Sequence, residues 1–319
     1  MYHRVAKLPS DIWGLAVSPD RFEEQLKVLR RTGAVVSLQE LVERVRTNTL
    51  ARRTIAISFD DGYADNLLAA KPLLEHYQLP ATFFITSGHI GLENEFWWDE
   101  LEQLLLFSEH LPSHFLLHTE ERSLEADLTQ ESRLNRTLLR KHSCWQAGVA
   151  PPPSARAHLY YAIWQQMKPL ACAQQQLILA KIRAWAQIPC RPRPAYQSLS
   201  VEQLRALSAS QLFTIGAHTL THPSLSNFLL PFQRHELQDS KLQLEKLLNR
   251  SINLLSYPYG EASKATEELA QDVAYQAAFT TAEQTLENGS PPFRLGRFQV
   301  YNWGSADFER HLKHWFTYC

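Results

Sequence analysis

Short runs of β-branched and apolar residues alternate along this chain with stretches of helical periodicity, and that order constrains the fold more than any other feature. Tyr2 to Val5, Val35-Val36, Ile55 to Phe59, Ala81 to Thr86, Leu212 to Gly216, Asn253 to Tyr257, Ala274 to Thr280 and Arg297 to Tyr301 read as strands. Helices are predicted from Ser18-Pro19, over Leu38 to Arg46, Ala64 to Tyr77, Val201 to Leu207, Phe232 to Asn249, Ser263 to Asp272 and Asp307 to Trp315. Ser18, Ser37 and Ser200 stand where N-caps are wanted. Repetition of strand, turn and helix implies parallel strands with right-handed crossovers. Seven or eight such strands predict an α/β fold of the (β/α) barrel type, with an open doubly wound sheet as the alternative.

Between Gly91 and about Ser198 the rhythm stops. Phe96-Trp97-Trp98 begins a helix, His114 to His118 reads as a strand, Pro151 to Pro153 as a linker, and Ala155 to Met167 and Ala171 to Trp185 as helices. The expected organisation is one domain over 1–319, interrupted by a mostly helical insertion at about 91–198.

Composition narrows the functional classes. A net charge of −1 without a basic block gives no electrostatic footprint for nucleic acid or an anionic membrane. No apolar run is long enough to span a bilayer, so no integral membrane segment is expected. The opening Met1-Tyr-His-Arg-Val5 lacks a charged segment followed by an apolar one, and the expected location is the cytoplasm. Cys144, Cys172, Cys190 and Cys319 lack the spacing of a structural zinc site, and buried thiols are expected.

Three strand ends carry the chemistry. Thr54 to Phe59 leads into Asp60-Asp61-Gly62, and strand C-termini are where parallel α/β folds bind ligands. Adjacent carboxylates repel unless one holds a proton or a cation lies near, and a metal ion resolves the conflict. The bland reading has Asp60 capping the next helix and Asp61 facing water. After Leu212 to Gly216 come His218 and His222, whose i, i+4 spacing would put two imidazoles on one side of a helical turn, within reach of one zinc. Two nitrogens and a carboxylate leave an open position, as catalytic sites require. The third end is Tyr257-Pro-Tyr-Gly260, where Pro258 and Gly260 permit a tight turn with aromatic walls.

In this order, Ser58-Phe-Asp-Asp-Gly62, His218-Thr-Leu-Thr-His-Pro223 and Tyr257-Pro-Tyr-Gly260 resemble the first three motifs of the polysaccharide deacetylases, carbohydrate esterase family 4, or NodB homology domain. The resemblance covers about two thirds of the chain. It implies an irregular (β/α)7 barrel and metal-dependent removal of acetyl groups from a sugar. By that likeness Asp61, His218 and His222 hold one divalent transition metal, zinc by preference, and Asp60 is the general base. The Tyr259 amide would help hold the oxyanion. Two motif elements depart from the family. Ser256-Tyr257 stand where an arginine often precedes Pro-Tyr-Gly, and Arg297 and Arg294 are the candidate replacements. A late histidine motif for the general acid is also missing; Met1-Tyr-His3-Arg-Val is similar to the N-terminal strand of a permuted branch, that of the poly-N-acetylglucosamine deacetylases, which makes His3 the candidate acid.

The leading expectation is therefore an N-deacetylase of a polysaccharide, glycan precursor or glycoconjugate. Trp97, Trp98, Tyr257 and Arg297 are the candidate carbohydrate contacts. Three alternatives compete: a deacetylase of small amides or O-acetyl esters, a catalytically impaired carbohydrate-binding protein, and a two-metal phosphohydrolase that would need more carboxylates than the sequence offers.

Overall fold

The computed structural model describes residues 1–118 and 123–316, and the chain divides into two compact units. The first comprises Met1–Lys7, Leu15–Leu92 and Ser198–Cys319, the second Leu8–Gly14 and Glu93–Gln197. The chain begins with β1 (Arg4–Val5), β2 (Ala16–Val17), α1 (Pro19–Thr32), α2 (Leu38–Arg46), β3 (Ile57–Phe59), α3 (Lys71–His76) and β4 (Ala81–Ile85). The second unit supplies α4 (Trp97–Leu106), β5 (His114–His118), β6 (Ser123–Asp127), α5 (Arg136–Cys144), α6 (Ala155–Met167) and α7 (Cys172–Ala186). The first resumes with α8 (Val201–Ser208), β7 (Phe213–Ala217), α9 (Leu230–Leu248), β8 (Leu254–Ser256), α10 (Lys264–Asp272), β9 (Ala277–Phe279) and α11 (Ser305–Trp315).

Five strands of the first unit form a parallel sheet in the order β3-β4-β7-β8-β9. Backbone bonds continue past both edges. Leu295 bridges in parallel to Phe279, and Tyr2 bridges in parallel to Phe59. The ring closes where Met1 N donates to Phe298 O at 2.8 Å and Val300 N donates to Met1 O at 2.9 Å. The fold is an irregular (β/α)7-type barrel whose last two staves, near Met1 to His3 and 295–300, are too irregular to count as long strands. The expected strand at Arg297 to Tyr301 is thus a barrel stave with sparse pairing, and Val35-Val36 contributes a single bridge from Val35 to Ile55.

Strand alternation then decides what faces inward. Ile57, Phe59, Phe83, Ile85, Leu255 and Ala278 join the core shared with the surrounding helices, together with Tyr2, Phe22 and Leu26. Phe84, Leu254, Ala277, Phe279 and Leu295 form a separate cluster with Leu38 and Leu41 of α2. Tyr2 stacks on Phe59 at 5.3 Å and Phe59 on Phe83 at 4.8 Å, so the outer face is packed along three neighbouring staves. By the same parity Asp60, His218, Ser256 and His3 fall on the inner side.

The predicted helix Ala64 to Tyr77 is broken into a π-helical turn, Asn66–Ala70, followed by α3. Pro72 is the cause, because it has no N–H for the carbonyl of Leu68, and the turn instead closes from Lys71 N to Asn66 O.

In the second unit the antiparallel pair β5-β6 stands beside the helices, and neither β6 nor α5 was expected. The thiols correct a second expectation. Cys144 is exposed, because α5 buries Leu138 and His142 instead; Cys190 is exposed and Cys172, at the start of α7, is half-buried; Cys319 lies outside the described residues. Among the described residues no helix is long and apolar enough to cross a membrane.

Candidate active site

Asp60 and Asp61 follow β3, and the first of them is fixed from across the barrel. Arg297 Nη1 and Nη2 donate to Asp60 Oδ1 and Oδ2, both at 2.7 Å, while Ser256 Oγ donates to Oδ2 at 3.0 Å. The guanidinium is itself held by Thr280 O at 3.1 Å, Ser58 Oγ at 3.2 Å and Ser256 Oγ at 2.7 Å. Burial alone would push the Asp60 carboxyl up, but the Arg297 charge, then His218, outweighs it and holds the group well below the usual carboxylate range. Arg297 is thereby consumed. As a carbohydrate contact it is corrected, since a buried, bidentate guanidinium has no face left for a sugar. It occupies instead the bracing role for which it was the alternative candidate.

Asp61 turns the chain with a φ of 72°. Its Oδ1 lies 3.4 Å from His218 Nε2 and 3.4 Å from His222 Nε2. All three residues are buried, and their donor atoms fall within 4.8 Å of one another. Donors roughly 2.0–2.1 Å from a tetrahedral zinc would stand about 3.3–3.4 Å apart, and both Asp61-to-histidine separations match that spacing. His218 Nδ1 is 2.7 Å from Ser256 O. A proton on Nδ1 satisfies that carbonyl and leaves the Nε2 lone pair toward Asp61, the tautomer a metal needs. Burial works against charge on Asp61, yet His218 and His222 hold its carboxyl well down.

The expected helical turn between the two histidines is absent. Residues 218–222 form a loop in which Thr219 and His222 have φ of 63° and 62°. The i, i+4 spacing succeeds through left-handed backbone rather than through a helix. Each such non-glycine residue costs on the order of 1 kcal/mol, and Asp61, Thr219, His222 and Tyr259 all lie on loops that follow barrel strands.

After β8, Tyr259 has φ 58° and ψ 5°, and its ring meets that of His222 edge-on at 4.8 Å. Gly260 follows with φ 71°, where a Cβ would come within 2.1 Å of Thr281 Oγ1, so no larger residue fits the turn. Tyr257 is corrected as a carbohydrate contact: it is fully buried and its hydroxyl donates to Phe293 O at 3.1 Å. Trp97 and Trp98 are corrected as well. They are buried in the second unit, Trp98 stacked on Phe96 at 4.6 Å and Trp97 near Trp164 at 6.1 Å, and stacking on a pyranose needs an open ring face.

His3 is half-buried on the stave beside β3. Tyr2 N donates to Ser58 O at 2.8 Å and Asp60 N to Tyr2 O at 3.0 Å, which sets His3 beside the paired acids. Asn66 Nδ2 donates to His3 O at 2.8 Å. Arg4, on the opposite face, pairs with Asp65 at 2.9 Å. Burial pushes the His3 imidazole below its ordinary value while Asp61 and then Asp60 pull it back. Sequence reasoning missed His89 on the turn after β4. It is buried, pushed down to about 4 by burial and then by His222, and only its place after a strand could have suggested it.

The family model described as Polysaccharide deacetylase matches residues 47–145 and 182–278, more than half of the chain. The poly-beta-1,6-N-acetyl-D-glucosamine N-deacetylase of Staphylococcus aureus is 33% identical over 106 residues, which is 29% of this chain and 37% of that protein's length. Among solved structures, the Streptococcus pyogenes deacetylase PplD in complex with acetate superposes with a TM-score of 0.59 at 18% identity, over 99% of this chain and 96% of that one. IcaB from Ammonifex degensii gives 0.58 at 19% identity, over 99% and 94%. These two likenesses concern the fold, and the matched motifs carry the assignment: the chain belongs to the polysaccharide deacetylase family.

Proposed function

We propose that this protein removes acetyl groups from a glycan, N-acetyl groups in preference to O-acetyl, with one divalent transition metal on Asp61, His218 and His222. A single observation carries the reading: three facing donors lie beside a carboxylate that Arg297 keeps ionised. When bound, the metal supplies a fixed positive charge that polarises the acyl carbonyl and makes water more acidic. We take the whole chain as one catalytic domain interrupted by the second unit.

Asp60 is the general base in this reading. Three of its roughly four acceptor sites are filled by Arg297 and Ser256, and the remaining lone pair on Oδ1 is oriented and free of a proton at neutral pH. The Tyr259 amide is assigned to the developing oxyanion, a task for a backbone donor held by a strained turn. His3 is assigned the proton for the leaving amine, because its imidazole stands beside Asp60 and Asp61, whose charges favour its protonated form against burial. The name of the S. aureus relative supports an N-acetylated amino sugar as the substrate class.

The test is acetate release from N-acetylglucosamine oligomers and from O-acetylated sugars, before and after chelation. Release from the oligomers, lost on chelation and restored by zinc, is expected. Release from O-acetylated sugars alone would select the esterase alternative, and none from either by zinc-loaded protein would overturn the reading.

A further inference from the structure

The loop that carries His222 is gripped from outside by α9. Glu236, only 2% exposed, accepts from Leu220 N at 2.9 Å and Thr221 N at 2.8 Å through Oε2, and from Thr221 Oγ1 at 2.6 Å through Oε1. One turn along the helix, Ser240 Oγ donates to Thr219 O at 3.0 Å. From the turn after β4, Ser87 N donates to Thr219 O at 3.1 Å and Gly88 N to Leu220 O at 2.8 Å. Gly88 cannot be larger, since a Cβ there would lie 2.5 Å from Leu220 O. His222 N closes the loop on Thr219 Oγ1 at 3.1 Å.

We propose that Glu236 is a positioning residue for the metal ligands, acting on His222 through the loop backbone and touching neither metal nor substrate. This rests on the metal reading given under Proposed function. The loop needs such a brace. With Thr219 and His222 both in left-handed backbone, its relaxed shape differs from the one that turns His222 Nε2 toward Asp61. Glu236 accepts from all three donors at once, which an apolar side chain cannot do. Ser240, Ser87 and Gly88 fix the carbonyls of Thr219 and Leu220, but the amides of Leu220 and Thr221 depend on Glu236.

The test compares zinc affinity by competition with a chromophoric chelator, and the visible spectrum of the cobalt(II)-loaded protein, in the parent, Glu236→Leu and Glu236→Gln. Loss of an outer partner typically weakens metal binding by roughly 10–100-fold, and that loss, with a changed cobalt spectrum, is expected for Glu236→Leu. Glu236→Gln keeps one acceptor oxygen for the two amides, with Thr221 Oγ1 rotated to accept from its NH2, and should recover most of the affinity. A folded Glu236→Leu protein that binds zinc within about twofold of the parent, with the parental spectrum, overturns the proposal while leaving the metal reading intact. If that variant does not fold, Thr221→Val is measured instead, where several-fold weakening supports the brace and parental behaviour overturns it. A parent that takes up no zinc overturns both readings.

Discussion

Both units bury charge, but they use it differently. In the barrel unit, Asp60, Asp61, His218, His222 and Arg297 converge, with donors facing one another and with Asp61, His222 and the neighbouring Thr219 and Tyr259 in left-handed backbone. In the second unit Glu95, Arg156, His142 and the half-buried Arg193 are closed off by local partners. Arg193 is spread over Glu95, the carbonyl of Asp99, the amide oxygen of Gln103 and the ring of Tyr196. Arg156 donates to the carbonyls of Ser108, Glu131 and Ser132, and His142 lies between Leu106 O and Ser154 Oγ, both at 2.8 Å. Gln187, the one non-glycine residue of positive φ among that unit's described residues, merely ends α7. Buried polarity by itself therefore does not mark a site; convergence with unfilled coordination and local strain does.

Breaking the Asp60–Arg297 pair should have the largest effect on the molecule. Removal of one partner from a buried ion pair costs about 3–5 kcal/mol, because the other charge stays uncompensated. Arg297→Met should lose that much by chemical denaturation. Arg193→Met, whose partner Glu95 keeps a backbone donor in Arg193 N, should lose less than half of it. Equal losses would erase the distinction between the units.

Turnover sharpens the comparison at slightly smaller cost. Asp60→Asn should reduce acetate release by about 1,000-fold, within the usual range for a general base, while metal content by atomic emission stays at the parental level. Glu102→Gln in the second unit should leave release within about twofold of the parent. A variant of Asp60 that turns over normally would remove it as the base.

His3→Ala should slow N-acetyl substrates by roughly 100-fold and remove the basic limb of their pH profile. Activated acetyl esters, whose leaving groups need no proton, should react at close to the parental rate. Losses of equal size on both substrates would assign His3 to packing of the stave and not to proton transfer.

How much of this could be read from the sequence follows from range. The barrel strands and their helices were legible because periodicity and serine caps are local, and Leu38 to Arg46 and Ala155 to Met167 have the expected bounds. The residues that come together at Asp61 were legible by type and by position at strand ends. Arg297 was legible only as one of two candidates to orient the base, since 237 positions separate it from Asp60 and nothing local distinguishes it from Arg294. Glu236 and His89 were missed for the same reason. Trp97 and Trp98 misled because aromatic type suggests both sugar stacking and core, and burial decides between them.

The smallest effect concerns the other unit's buried acid. Glu102 accepts a bond from Ser10 Oγ, but burial dominates and pushes its carboxyl up to about 7. A folded value above the unfolded one means that the folded state binds the proton more tightly. Its contribution to stability is therefore fully present below the unfolded value near 4.5 and is lost as the pH rises through about 7. The difference corresponds to roughly 3–3.5 kcal/mol at most. Asp60, held down by Arg297, has the opposite sign: its contribution is present at neutral pH and fades only in acid. Denaturation midpoints measured between pH 5 and pH 8 should fall more steeply with rising pH in the parent than in Glu102→Gln, whose amide does not titrate. If the two curves run parallel, Glu102 is ionised in the fold, and the second unit holds a charge paired as effectively as the barrel's own.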